Sequence, residues 1–582
     1  MSSPHENRAT VESAATRLDP ESLAGQTSAG VRRVIGEFEI IELLGEGAMA
    51  HVYLARQTSL GRLVALKINK RTGGELPEGP LLAGLEHDHI VKVFSTVLDA
   101  ETGARGLCLQ YIAGADLGTV IHAIHDGKYP PTSGRAVLDA LDANARGEAG
   151  FDPASLRDRE ALAGDDFAQA VCRLGARLAE ALAFAHARGV LHCDIKPANV
   201  LVTRYGRPML ADFNVSFDRA RVPTPMGGTL PYMSPEHYLA MFRQPGGRVD
   251  ERSDIYSLGV VLHELATGVL PARDRDPLAA VPRELAVVIR RCLEADAARR
   301  YQSAGELAAA LSGASQLLAA RRALPAPGPI GRWVLAHPAG ALAAAAVVPH
   351  IIATLVNIAY NRAQIPFASA EQKHAFFWRV IPGYNLIAYL VCVGTACWLC
   401  WKIAQALRRS AVDEARGRVR NLGWWAIGLA ALGWLPGGVV FPLAIDRLAG
   451  GVTLEMYAHF AVSFTLAGLI GIVFSYLLIE YVAFRALFPR LGNPDGYSPA
   501  AAWAELRPLT VPFGLMLLLA CAVPLAGAVL LIVFADERMT LGFRLLVATL
   551  IGVGVAGVGI AERVTRRLRE LAAIWRHDAG KL

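Results

Sequence analysis

Apolar and polar positions follow three successive patterns along this chain. Residues 1–35 show no periodicity. Ser, Thr, Glu and Ala dominate there, and such a stretch buries too little apolar area to offset the entropy of ordering it. From Phe38 onward short apolar runs alternate with charged residues. Phe38-Glu39-Ile40-Ile41-Glu42-Leu43-Leu44 and Val64-Ala65-Leu66-Lys67 read as strands, and Gly106–Gln110 reads as a buried strand. Phe167–Arg188 has helical periodicity and stops at Gly189, which closes a helix because it accepts a left-handed backbone. Residues 126–166 are longer and more polar, with turn chemistry at Tyr129-Pro130-Pro131-Thr132-Ser133-Gly134 and a short helix over Ala136–Asn144. This predicts a surface insertion, with a partner-binding role.

A third pattern begins near residue 333. Six apolar runs lie near 334–359, 382–403, 423–446, 457–484, 510–534 and 541–561. Each is long enough to cross a hydrocarbon core of about 30 Å. Ala323–Gly331, rich in Pro and Gly, links this part to the charged one. The domain map is a disordered tail over 1–35, a soluble domain over 36–312 with an insertion over 126–166, a linker over 313–332, and a membrane domain over 333–582.

Composition sharpens this map. With 582 residues the chain exceeds a single domain, and its net charge of +6 gathers in Arg-rich loops beside the apolar runs. No Lys/Arg stripe interleaved with aromatics is present, so nucleic acid is not an expected partner and the lipid bilayer is. The first 30 residues lack the apolar core of a secretory signal, which predicts a cytoplasmic soluble domain. With that domain inside, the inner loops 402–422, 485–509 and 562–582 hold six, three and six Lys/Arg. The outer loops 360–381, 447–456 and 535–540 hold three, one and one. Positive charge is thus in excess on the inner side, the orientation expected for a multi-pass protein of the cytoplasmic (inner) membrane with its C-terminus inside.

Of the eight cysteines, Cys108, Cys172, Cys193 and Cys292 are scattered through the soluble part without a disulfide framework. Cys397 and Cys400 have redox or zinc spacing but sit within an apolar run, where packing is the simpler reading. Within the runs, Glu480 and Arg544 lie near ends from which a side chain can reach the interface, and no intramembrane polar network stands out.

The candidate chemistry lies in His192-Cys193-Asp194-Ile195-Lys196-Pro197-Ala198-Asn199-Val200-Leu201-Val202, followed by Leu210-Ala211-Asp212-Phe213-Asn214. Two carboxylates, an amide and an ammonium suit a site that holds metal-bound phosphates and takes the proton of a hydroxyl. Upstream, Gly45-Glu46-Gly47-Ala48-Met49-Ala50-His51-Val52 precedes the Lys67 strand, and glycines two apart let a backbone approach phosphate oxygens.

In this order and spacing the motifs resemble the eukaryotic-type serine/threonine protein kinases, over roughly residues 38–312. The resemblance implies an α+β, two-lobed protein-kinase fold, followed here by an all-α polytopic membrane domain of about six helices. It implies ATP and Mg²⁺ as cofactors, with Mn²⁺ as an alternative ion, and protein substrates phosphorylated on Ser or Thr. Asp194 would be the base, Lys196 and Lys67 the cationic clamps, and Asn199 and Asp212 the metal ligands. Gly45, Glu46, Gly47, Ala48 and Ala50 would cradle phosphates, Ala50 standing where the family's third Gly lies. Val52, Ala65 and Leu201 would sandwich adenine, Leu109 would be the gatekeeper, and the backbones of Gln110 and Ile112 would meet the base. Thr229, in Gly227-Gly228-Thr229, would sit beside the substrate. Glu236 would pair with Arg299, and Asp254 would cap the catalytic-loop backbone. The helix partner of Lys67 is Glu78, or else Glu75, because Gly79-Pro80 interrupts the pattern. Cys193 stands where many kinases have an Arg that anchors an activation-loop phosphate, and Asn214 replaces the Gly of D-F-G. Thr224 is a candidate self-phosphorylation site. The rivals are an ATP-binding pseudokinase scaffold relaying a membrane signal and a transporter with a regulatory kinase domain. A homodimer is the assembly considered.

Overall fold

The computed structural model describes residues 33–487 except 48–49, 73–83, 100–101, 128–129, 147–152, 214–228, 243, 245–246, 273, 324–327, 365–368 and 409–411, together with scattered positions between 514 and 566. Its contacts divide the chain after Ala113.

In the first unit six antiparallel strands form one sheet in the order β1-β2-β3-β4-β6-β5. They are β1 (Val34–Ile35), β2 (Phe38–Glu46), β3 (Ala50–Gln57), β4 (Arg62–Thr72), β5 (Val93–Leu98) and β6 (Ala104–Gln110). Successive side chains of a strand point to opposite faces. Val64, Leu66 and Ile68 of β4 therefore share one face, where they pack with Ile35, Phe38, Ala55, Val97, Ala104 and Cys108 into a core. Ala65 and Lys67 take the other face. Cross-strand register puts Val52 opposite Lys67 and Ala65 opposite Leu109, so the four candidate nucleotide residues lie side by side. The strand predicted from Phe38 thus exists, preceded by a short strand in which Ile35 is buried.

The second unit begins with a three-stranded sheet of β7 (Gly114–Asp116), β8 (Val200–Thr203) and β9 (Pro208–Leu210). Helices α1 (Leu117–His125), α2 (Arg135–Asn144), α3 (Pro153–Gly164) and α4 (Phe167–His186) lie between β7 and β8 in sequence. Helix α4 is the centre of this lobe: Val171, Ala179 and Leu182 are fully buried. It starts with a capping box between Asp166 and Gln169 and closes at Gly189, whose φ is 75°. The lobe continues through α5 (Pro235–Met241), α6 (Glu251–Thr267), α7 (Arg283–Cys292) and α8 (Ala304–Ala323), and α4 packs on α6 and α8.

Two boundaries differ from expectation. The stretch 126–166 is not a surface insertion. Val137 and Leu141 of α2 are fully buried, Leu162 of α3 packs where a Cβ at Gly206 would stand, and Arg207 clamps Asp158 at 2.7 Å. Its polar composition concealed a narrow apolar stripe. The soluble domain also does not end at 312. Helix α8 runs on to Ala323, burying Ala314 and Leu318, and Gln169 donates to the Ser315 carbonyl at 3.4 Å.

Beyond it come α9 (Pro329–Ala336), α10 (Pro338–Gln364), α11 (Ala370–Ala375), a π-helical turn (Phe376–Val380), α12 (Ile381–Arg408), α13 (Val412–Arg420), α14 (Leu422–Trp434), α15 (Gly437–Ala449) and α16 (Leu454–Val482). Among the described residues four helical stretches are long and apolar enough to cross a membrane: Pro338–Ile358, Ala370–Ile403, Leu422–Ala449 and Leu454–Val482. They match the first four predicted runs; the fifth and sixth fall mostly outside the described residues. The fold is therefore mixed α and β, with an all-helical C-terminal part.

Glu480 does not reach toward an interface. It is buried in α16 against Gly423 of α14, and its Oε2 has no hydrogen-bond partner. The expectation that no polar network stands out in the apolar runs also fails, because side chains distant in sequence converge there: Trp434 Nε1 donates to His350 Nδ1 at 2.9 Å, and His459 Nε2 bonds to Asn361 Oδ1 at 3.0 Å.

Candidate active site

The site is built where α4 ends. Val190 and Leu191 are buried, which anchors the following loop, and Asp254 in the first turn of α6 takes hold of its backbone. Asp254 accepts from His192 N at 2.8 Å and Cys193 N at 2.9 Å, and bonds to His186 Nε2 at 2.8 Å. Burial pushes the Asp254 carboxyl up, but the hydrogen bonds from His186 and from the His192 backbone N–H outweigh this and hold it below the ordinary carboxylate range. The capping role expected for Asp254 is what the geometry contains.

Held in this way, the loop brings its polar side chains together. Asp194 Oδ2 accepts from Lys196 Nζ at 2.8 Å and from Asn199 Nδ2 at 3.1 Å. Its other oxygen accepts from the Thr229 backbone N–H at 3.1 Å and hydroxyl at 3.0 Å. Lys196 Nζ also donates to Thr229 Oγ1 at 2.9 Å. Asn199 fixes the loop by donating to the Asp194 carbonyl at 2.8 Å. Thus Asp194, Lys196, Asn199 and Thr229 form one cluster, although Thr229 is 35 residues from Asp194 in sequence.

Asp212 joins through the backbone. Ala211 N donates to the Asn199 carbonyl at 2.9 Å, bringing the residue before Asp212 against Asn199. Asp194 N reaches His192 Nδ1 at 3.4 Å, so Nε2 carries the imidazole proton and donates to the Ala211 carbonyl at 3.0 Å. The His192 ring packs on Phe213 at 4.4 Å between centroids. Burial lowers the His192 pKa below the ordinary imidazole value. Cys193 and Asp212, with φ of 61° and 56°, are the non-glycine residues in left-handed backbone among the described residues. Strained residues of this kind persist where the surroundings over-determine them, and both flank this cluster.

An oxygen donor set of Asn199 and Asp212 suits a hard cation such as Mg²⁺. Asn199 uses its nitrogen toward Asp194, so its amide oxygen is the atom that would face a cation. Among the described residues no group of three or more His, Cys, Asp or Glu could hold a metal by itself.

Glu236 corrects one expectation. It is paired not with Arg299 but with Arg300, in a bidentate contact at 2.7 and 2.9 Å. Arg299 ends a 3₁₀ turn (Ala297–Arg299) and is exposed, with Asp296 at 3.9 Å. The next position turns inward. There Arg300, fully buried, also donates to the carbonyls of Glu294, Arg252 and Ala295. Burial raises the Glu236 pKa, but Arg300 and Ser253 outweigh this and hold it low. The two adjacent Arg are alike in composition, and the expectation names Arg299. Only the turn decides between them.

Cys193 is buried with Leu191 and Val249, and burial pushes its thiol pKa up, so it is a protonated packing residue. On β8, Val200 and Val202 are fully buried, while Leu201 takes the opposite face and is partly covered.

In the first unit the Gly45–Val52 segment is a hairpin, with Glu46 opposite His51 and Gly47 N donating to Ala50 O at 2.9 Å. Glu46 carries an ion pair to Lys70 at 2.8 Å. Gln110 N donates to the Lys92 carbonyl at 2.8 Å. Ala48, Glu75, Glu78, Asn214 and Thr224 lie outside the described residues.

Comparison with known proteins places this constellation. Residues 156–318 match the protein kinase domain family model. A probable serine/threonine-protein kinase of Clostridium perfringens is 25% identical over 304 residues, 48% of this chain and 38% of the relative. Serine/threonine-protein kinase pkn2 of Myxococcus xanthus is 30% identical over 324 residues, 49% of this chain and 33% of the relative. PknB of Mycobacterium tuberculosis is 27% identical over 303 residues, 47% of this chain and 42% of the relative. The matched region thus spans well under half the length of these relatives. With the Asp194 cluster, these matches show that the chain carries a protein kinase domain similar to those of bacterial serine/threonine-protein kinases.

Proposed function

We propose that the chain is a membrane-anchored protein kinase that transfers the γ-phosphoryl group of ATP to Ser or Thr hydroxyls of proteins, in signalling. The observation that carries this reading is the Asp194 carboxylate, which accepts from both Lys196 and the Thr229 hydroxyl. A substrate hydroxyl placed where the Thr229 hydroxyl lies would direct its proton to Asp194. Lys196 would neutralise charge on the transferring group, and Lys67, beside Val52 on its sheet, would grip the α- and β-phosphates. Gly45, Glu46, Gly47, Ala48 and Ala50 would cover the phosphates. Val52, Ala65 and Leu201 would enclose adenine, with Leu109, Gln110 and Ile112 along its edge. Mg²⁺, or Mn²⁺, held by Asn199 and Asp212 would screen phosphate charge. Catalysis here is chiefly positioning and charge stabilisation.

The four apolar helical stretches support anchoring in a bilayer. The Lys/Arg bias supports a multi-pass protein of the cytoplasmic membrane, with kinase domain and C-terminus inside. Incorporation of labelled phosphate from γ-labelled ATP into a general Ser/Thr substrate tests the proposal. Wild type is expected to transfer phosphate, with Asp194→Asn and Lys67→Met near background. Equal background labelling by all three proteins would instead indicate a scaffold that binds ATP without transferring phosphate.

A further inference from the structure

The helical half holds a cavity of 370 Å³ bounded by α10, α12 and α14, with contributions from α15 and α16. That volume lies in the range of ligand pockets. One wall comes from α10, where His350, Thr354, Asn357 and Asn361 recur at helical spacing and so share a face. Tyr384 and Asn385 of α12 line it as well. Apart from Tyr389, Ser475 and three cysteines the remaining lining is apolar and rich in Ala, and it contains no Asp, Glu, Lys or Arg among the described residues.

Hydrogen bonding narrows what such a cavity would take. The Trp434 indole, a donor only, gives its proton to His350 Nδ1 at 2.9 Å, and His350 Nε2 faces Ser475 Oγ at 3.3 Å. The Tyr384 hydroxyl donates to the Gly433 carbonyl at 2.9 Å. Asn357 accepts from Asn361 through its Oδ1 at 2.7 Å, and Asn361 Oδ1 in turn bonds to His459 Nε2 at 3.0 Å. The Asn357 amide N–H and the Asn385 amide of α12, both in the lining, are left among the described residues to meet an occupant. Amide donors in a wall without charge select a neutral acceptor, of which a carbonyl oxygen is the simplest. On its outer side α12 exposes Leu386, Ile387 and Leu390, so the cavity lies behind a helix that is itself apolar outward.

We propose that this cavity binds a neutral, apolar molecule of the bilayer through a carbonyl group, held by the amides of Asn357 and Asn385. Two bilayer components carry that chemistry, a long-tailed quinone and the ester carbonyl of a diacyl lipid. The site is separate from the Asp194 cluster and does not depend on the phosphotransfer reading.

The test uses the full chain purified in dodecyl maltoside and a benzoquinone bearing a photoactivatable alkyl tail. Crosslinked peptides are mapped by mass spectrometry, with competition by a tailed benzoquinone, a diacyl phosphatidylglycerol or hexadecane. Saturable labelling is expected within 338–361 and 381–400, competed by the quinone or by the lipid, whichever is the source, and not by hexadecane. Asn357→Leu and Asn385→Leu should each weaken labelling roughly three- to tenfold, the loss of one hydrogen bond. Ala388→Trp, filling the cavity from α12, should weaken it by about tenfold or more, whereas Leu386→Trp on the exposed face should leave it unchanged. Asn357→Leu may be read only if it elutes as wild type; Ala388→Trp and the wild-type saturation curve decide the matter without it. Non-saturable labelling, equal competition by hexadecane, competition by neither carbonyl compound, or unchanged labelling of Ala388→Trp would each overturn the proposal.

Discussion

Both halves of the molecule gather polar side chains away from water, and they do so differently. In the kinase domain the cluster is charged: Asp194, Lys196 and Thr229 meet in loops whose backbone is held by Asp254. In the helical half the cluster is neutral: His350 with Trp434 and Ser475, and Asn357 with Asn361 and His459, on helix faces. The difference follows from solvent. An ion at the edge of a soluble lobe keeps part of its hydration, whereas in lipid an uncompensated charge is far costlier than an amide or imidazole. Charged loops suit a phosphate substrate, and neutral helix faces suit a molecule that is itself neutral.

The largest expected effect breaks the charged cluster. Asp194→Asn should lower phosphate transfer by about 10²–10⁴-fold, the usual contribution of a positioned base, while thermal unfolding changes little. A variant within threefold of wild type would remove Asp194 from the chemistry. Next comes the support beneath it. Arg300→Met should destabilise the domain by about 3–5 kcal/mol, because Glu236 would be left buried without its partner. Arg299→Met should lie within about 0.5 kcal/mol of wild type. Urea unfolding of the two variants checks the correction directly, and the reverse ranking would restore the Arg299 pairing.

Gly423→Ala probes the neutral half. Its Cβ would stand 2.3 Å from Glu480 Oε1 and 2.5 Å from a Tyr476 ring carbon, so α14 must move away from α16. A loss of about 1–3 kcal/mol is expected, the usual cost of overpacking. Thermal unfolding in detergent reads it, and Gly428→Ala, whose Cβ meets nothing within 4 Å, is the control.

Acidification gives the smallest and most graded effect. Burial lowers the pKa of His192, His237 and His263 from the ordinary 6.5, so the unfolded chain binds more protons just below that value. Their stability contribution is complete above about pH 6.5 and declines as pH falls from there toward the folded-state values. Asp254 and Glu236 are held low, so their contribution is lost only at lower pH, below the ordinary 3.8 and 4.5. Unfolding midpoints of the kinase domain should therefore be flat between about pH 7 and 8 and fall in two stages below that window. A midpoint that rises between pH 7 and 5 would contradict the burial of these imidazoles.

Much of this was legible in residue order. Short apolar runs located β2 and β4, helical periodicity with a closing glycine located α4, and the kinase resemblance pointed to Asp194, Lys196, Asn199 and Thr229, which lie together. The apolar runs located four long helices. What was misread had a common cause. A polar-looking stretch over 126–166 hides Val137, Leu141 and Leu162, whose burial depends on partners far along the chain. Arg299 and Arg300 are equivalent in composition, and a 3₁₀ turn separates them. Glu480 near the end of an apolar run has the position of a residue that reaches water, yet helix packing against Gly423 encloses it.

By itself, then, the sequence determined the elements, their periodicities and the chemistry in the catalytic loop, because those depend on neighbours a few positions away. Tertiary structure alone decided which Arg holds Glu236, that α2 is buried in the lobe and α3 tied to it through Leu162, and that single polar residues of separate apolar runs converge on one cavity. Such outcomes depend on contacts between residues tens to more than a hundred positions apart, and no local pattern carries that information.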